Sequence, residues 1–121
     1  MKYMLLCYDD AEYWESVGKT AHEAAMQEAV QLTHELDSRG QYLTAAPLHP
    51  ISTATSVRVR NGKPLVTDGP FAETREVLGG FYLIDVKDLN EAISIAGRHP
   101  GARVGTVEVR PVMELAGLPE T

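Results

Sequence analysis

An α+β fold, with helices covering one face of an antiparallel sheet, is what this sequence predicts. Three observations predict it: short apolar or alternating runs spaced along the chain, two stretches with a helical apolar stripe, and Asn61-Gly62 between alternating segments.

Tyr3 to Tyr8 is a short, mostly apolar run bounded by Asp9 and Asp10, which reads as a strand buried on both faces. A loop around Tyr13, Trp14 and Gly18 follows. Thr20 can then cap a helix, with Glu23 reaching back to complete a capping box. Ala25, Ala29, Leu32 and Leu36 make one apolar stripe, and Gly40 supplies a left-handed stop, so the helix runs over residues 21 to 39. Tyr42 to Ala46 is a strand ended by Pro47 and Pro50.

Val57 and Val59 alternate with Ser56, Arg58 and Arg60, and Asn61-Gly62 has the type I′ signature, which predicts a hairpin over about residues 55 to 67. Gly80 to Val86 is apolar on both faces and reads as a central strand. Asp88 to Glu91 opens a second helix, whose stripe of Leu89, Ala92, Ile93 and Ala96 ends near His99-Pro100. Arg103 to Val109 is the last strand. With the hairpin set aside, the order is βαββαβ, the split βαβ pattern of ferredoxin-like folds. Both helices then cover one sheet face. Tyr3, Leu5, Phe81 and Leu83 cannot all share a side with Tyr82 and Ile84, so the other face also needs cover, and a homodimer is expected.

Composition narrows the function classes. At 121 residues the chain is one domain with room for a core, and 17 acids against 11 bases leave a formal charge of −6. That charge disfavours phosphate backbones and anionic membrane surfaces, so neither nucleic acid nor membrane is expected as a direct partner. Cys7 has no second cysteine to pair with, which suits a reducing cytoplasm. The start reaches Asp9 and Asp10 too early for a signal peptide. The tail from Glu114 to Thr121 is expected to be loose.

The stretch from Asp68 to Glu76 carries two readings. Asp68-Gly69-Pro70 is a strong turn signal that backbone geometry alone explains, with Asp68 able to cap a short helical turn beginning near Pro70. Alternatively, Asp68, Glu73 and Glu76 form a site, with Phe71 as an apolar wall; a helical AETRE would put Glu73 and Glu76 on one face. Too few hard ligands gather there for a metal, and no cofactor is expected. Of the histidines, His22 is the best general-base candidate, because it sits in a helix's first turn and needs only an orienting carboxylate. Arg58 and Arg60 share one hairpin face and could hold an anion. Cys7 reads as a small core residue. Trp14 could pack on a partner or over a pocket.

The run VTDGPFAETREVLGGFYLIDVKDLNEAISIA, with YMLLCY before it and VEVRPV after it, resembles the DGPF group of YCII-related proteins over roughly residues 1 to 113. The resemblance implies a ferredoxin-like α+β fold, dimeric in the manner of muconolactone-isomerase-like proteins, with pockets near the subunit interface. Asp68, Gly69, Pro70 and Phe71 match the motif directly, Ala72, Glu73, Thr74 and Glu76 continue it, and Arg75 stands where lysine is usual. Shorter family members imply a His–Asp pair; aligned back from Gly40, their histidine falls near Ala29, upstream of which His22 stands here. Two functions follow as expectations. One is binding of a small cyclic or aromatic metabolite beside the acidic turn, with Asp68 and His22 in acid/base roles and Phe71, Glu73, Glu76 and Arg58 as ligand contacts. The other is a non-catalytic module in a circuit of an extracytoplasmic-function sigma factor, which the family's gene neighbours imply.

Overall fold

The computed structural model describes residues 1–119. The first strand, β1 (Lys2–Asp9), is central in a four-stranded antiparallel sheet of order β2-β5-β1-β6, where β2 is Tyr42–Pro47, β5 is Val77–Asp85 and β6 is Thr106–Pro111. This is the ferredoxin-like arrangement that the element order predicts. Two helices, α2 (Lys19–Ser38) and α3 (Leu89–Arg98), contribute Leu32, Leu36, Ala92, Ile95 and Ala96 to one buried cluster with Tyr3, Leu5, Tyr82 and Ile84. Leu5, Leu36 and Ile84 are fully enclosed. Arg98 of α3 pairs with Glu35 of α2 across the outside of this core.

Registers decide which side chains the helices cover. Leu5 pairs with Tyr82 and with Val109, and Tyr3 pairs with Ile84, so these residues share the helix side. That assigns the two strands more sharply than their sequence does: Tyr3 and Leu5 lie with Tyr82 and Ile84, while Phe81 and Leu83 lie opposite with Met4 and Leu6. β1 is therefore not enclosed on both faces; buried and half-buried positions alternate along it. The period of two sets this alternation.

Local endings follow from backbone chemistry. Behind α2, Gly40 has φ +70°, and Gln41 and Gly40 donate to the carbonyls of Leu36 (2.9 Å) and Asp37 (3.1 Å), which completes a Schellman stop. Asp88 caps α3 by accepting from the Glu91 N–H at 2.9 Å, and the Glu91 carboxylate accepts from the Lys87 N–H at 3.1 Å. Among the described residues, strands β3 (Thr55–Arg60) and β4 (Lys63–Asp68) pair only with each other, through Asn61 and Gly62 at φ 52° and 73°, as a type I′ turn requires.

Several expectations need correction. The loop around Tyr13 and Trp14 is a short helix, α1 (Ala11–Val17), capped by Asp10, whose carboxylate accepts from the Glu12 N–H at 3.0 Å. It buries none of its residues, so no apolar stripe announces it. α2 starts at Lys19 with Gly18 as its cap, not at a Thr20 capping box, and Glu23 lies 3.8 Å from Lys19 instead. The segment 70–76 is irregular rather than helical, so Asp68 caps no helix there and no shared helical face exists for Glu73 and Glu76. Strand β5 begins at Val77, before Gly80, and residues Pro100–Arg103 form a 3-10 turn before β6. Of the tail, residues 114–119 are exposed and in neither helix nor strand; Glu120 and Thr121 lie outside the described residues.

Candidate functional site

Where α2 runs toward its start, the helix and the sheet part around a cavity of about 300 Å³. Side-chain size opens it. The α2 stripe carries leucine at 32 and 36 but alanine at 25 and 29, so the packing that closes the far end gives way to empty space here. The Tyr82 hydroxyl donates to the Ala29 carbonyl at 3.2 Å, fixing the helix over the sheet at the cavity's edge. Beneath lie Gly79 and Gly80. A Cβ on Gly80 would come within 2.9 Å of the Ala46 carbonyl oxygen, so only glycine allows β2 to approach this closely.

Polar groups gather at one side. The Trp14 indole N–H donates to Asp9 Oδ2 at 3.1 Å, and the Trp14 ring lies 5.1 Å from the His22 ring, centroid to centroid. Burial raises the Asp9 pKa above the ordinary aspartate value; the Trp14 hydrogen bond and nearby His22 oppose that shift, and Asp10 adds to it. Deeper in, His99 Nδ1 accepts from the Gly101 N–H at 2.9 Å, so the neutral ring carries its proton on Nε2, which faces Cys7 Sγ at 3.9 Å. Burial lowers the His99 pKa and, with the Asp9 charge, pushes the Cys7 thiol up to about 11. The two are a neutral pair, not a thiolate and an imidazolium. Tyr82 crosses the His99 ring edge-on at 5.2 Å, and burial raises its pKa as well. The arrangement can therefore hold one titratable carboxyl, with an imidazole close by, at the edge of an apolar chamber.

Among the described residues, no group of three or more His, Cys, Asp or Glu side chains stands ready to hold a metal ion, and no helix is long and apolar enough to cross a membrane. The family model for the YCII-related domain matches residues 1–116, a span that contains the whole cavity and the acidic turn. The chain belongs to the YCII-related family. It is also 37% identical over 114 residues to an uncharacterised protein of Rhizobium meliloti (strain 1021), covering 93% of this chain and 92% of that one.

The YCII-related domain distributes the sequence-selected residues unevenly. His22 lines the cavity. Asp68 ends β4 on the exposed hairpin, Arg58 is exposed on β3, Phe71 is 81% exposed, and Glu73 is exposed in the irregular segment; none of these four lines the cavity. Gly69 works structurally, its N–H donating to the Ala54 carbonyl at 2.7 Å and its carbonyl accepting from the Ser56 hydroxyl at 2.7 Å. Glu76 accepts from the Thr106 hydroxyl at 3.0 Å. Arg75 reaches Asp10 at 2.8 Å and thereby ties the acidic segment to the cap of α1, the helix that carries Trp14. That bond holds the Asp10 carboxyl below the usual range. Asp9, Tyr82 and His99 are the cavity groups that sequence reasoning passed over. The available signal was the Gly79-Gly80 pair opposite the end of β1, which marks a close approach.

Proposed function

We propose that this YCII-related protein, as a member of the DGPF group, is a homodimer that binds a small cyclic or aromatic metabolite in the cavity under α2. Asp9 and His22 are its acid/base pair, suited to isomerase- or lyase-like proton transfer. The observation that carries this reading is the position of Asp9, a half-buried carboxyl at the edge of a chamber walled by Trp14, Ala25, Ala29 and Tyr82. A base and an acid near neutrality are what proton abstraction and return require, and burial moves Asp9 in that direction. The acidic turn then serves the site at one remove, through the Arg75 bond to Asp10.

The test is a thermal-shift screen of small cyclic metabolites on wild type, Ala29→Leu and Phe71→Ala. A ligand whose stabilisation is lost in Ala29→Leu and kept in Phe71→Ala supports the cavity. The reverse pattern moves the site back to Asp68, Phe71, Glu73 and Arg58.

The homodimer is supported by the sheet face turned away from the helices, where Met4, Leu6, Tyr8, Phe81 and Leu83 are half-exposed neighbours. Phe71, at 81% exposed, and Val66 of the hairpin, at 66%, are further exposed apolar side chains. Sedimentation equilibrium at micromolar concentration should give twice the chain mass, and Leu6→Glu should halve it. A wild-type protein that sediments as a monomer overturns the dimer.

A further inference from the structure

Among the described residues, the cavity lining holds one acidic side chain, Asp9, and neither lysine nor arginine. Two arginines of this region are engaged outside it: Arg75 with Asp10 at 2.8 Å, and Arg103 with both carboxylate oxygens of Glu28 at 2.9 Å each. Inside, the Gly101 N–H is spent on His99, and the His99 Nε2 proton faces Cys7. An entering carboxylate or phosphate would lose water beside the Asp9 carboxylate and meet no lysine or arginine in return, and the His22 imidazole of the lining already acts on Asp9.

A hydrogen-bond donor meets the opposite situation. Trp14 occupies Asp9 Oδ2, and the carboxylate has lone pairs to spare on Oδ1. Gly79 leaves that carboxyl uncovered, since a Cβ at this position would lie 3.2 Å from each of the two oxygens. Any side chain there would crowd the space through which a donor reaches Asp9. The chamber is at the small end of ligand cavities, about 300 Å³, which suits a single substituted ring.

Resting on the reading that this cavity is the ligand site, we propose that it selects a small cyclic molecule bearing a hydroxyl or ammonium donor and no negative charge. The donor sits on Asp9 Oδ1 and the ring lies against Ala25, Ala29 and Tyr82. An ammonium also gains from the indole face of Trp14.

Three probes of matched size separate the possibilities: benzyl alcohol, benzylamine and benzoate, titrated at millimolar concentration near neutral pH. Two-dimensional proton–nitrogen NMR follows the Trp14 indole signal and the Gly79 and Gly80 amides. Benzyl alcohol or benzylamine should shift these signals with an affinity at least tenfold above that of benzoate, and whichever is tighter identifies the donor. Asp9→Asn should bring the three within about threefold of one another. Benzoate binding at these signals as tightly as the better of the other two overturns the charge inference and leaves the cavity reading standing. Absence of shifts at these signals from all three probes removes the cavity reading and the inference with it.

Discussion

The two halves of α2 carry one apolar stripe at one period, yet they do opposite things. Toward the helix end, Leu32 and Leu36 are buried in the common core with Tyr3, Ile84 and the α3 residues. Toward the helix start, Ala25 and Ala29 are only half-buried, and with Met26 and Val30 they line open space. Helix and sheet are rigid on this scale, so replacing leucine by alanine along the stripe leaves a void, not a closer approach. Period therefore predicts that a helix packs, while residue size along the stripe predicts where it leaves a cavity.

The strongest way to break this comparison is to exchange the sizes. Leu36→Ala removes a fully enclosed side chain from the packed half and should cost about 2–5 kcal/mol in urea unfolding. Its effect on a cavity ligand, measured below the unfolding transition, should be less than about twofold. Ala25→Leu adds the same atoms to the open half, where filling space typically stabilises by about 0.5–2 kcal/mol, and should abolish ligand binding. If Leu36→Ala costs less than Ala25→Leu, the division of labour between the halves is wrong.

The sequence made the framework legible because the framework is periodic. The α2 stripe, the alternation about Asn61-Gly62 and the apolar run of β5 each state their element locally, and together they yield the βαββαβ order that the strand pairing displays. α1 was silent for the complementary reason: it buries none of its residues, and only the Asp10 cap marks it. The irregular course of the segment after Asp68 was also hidden. Its helix-compatible spelling yields to partners far away in sequence, Asp10 for Arg75 and Thr106 for Glu76, which no local window contains. The cavity followed the same rule. His22 was selected as a helix-start histidine and does line the cavity, whereas Asp9 read as the end of a strand. Its importance comes from Trp14 and Gly79, and sheet register brings the second of these to it. The carboxylates around Asp68 are exposed and keep their water, while the half-buried Asp9 loses part of its own, a difference that density in the sequence does not display.

A smaller effect sharpens the comparison through proton linkage at the cavity end. Burial lowers the His99 pKa, a shift that Glu28 opposes and Arg103 reinforces. In the unfolded chain the imidazole titrates near the ordinary value of about 6.5. Because the folded value is depressed, the neutral ring's contribution to stability is complete above the unfolded pKa and is lost as pH falls through the folded one. Between about pH 7.5 and about pH 5.5, which bracket that ordinary value, wild type should therefore lose more stability than His99→Asn, whose side-chain oxygen can still accept from the Gly101 N–H. The difference should be smaller than the Leu36 effect. Asp9, shifted upward, contributes in the opposite sense: its stabilisation is present below the unfolded carboxyl pKa and lost as pH rises through the folded one. It is common to both proteins and cancels in the comparison. Urea midpoints at the two pH values measure the effect, and equal losses in the two proteins would mean that His99 is not held neutral by its burial against Cys7 and Tyr82.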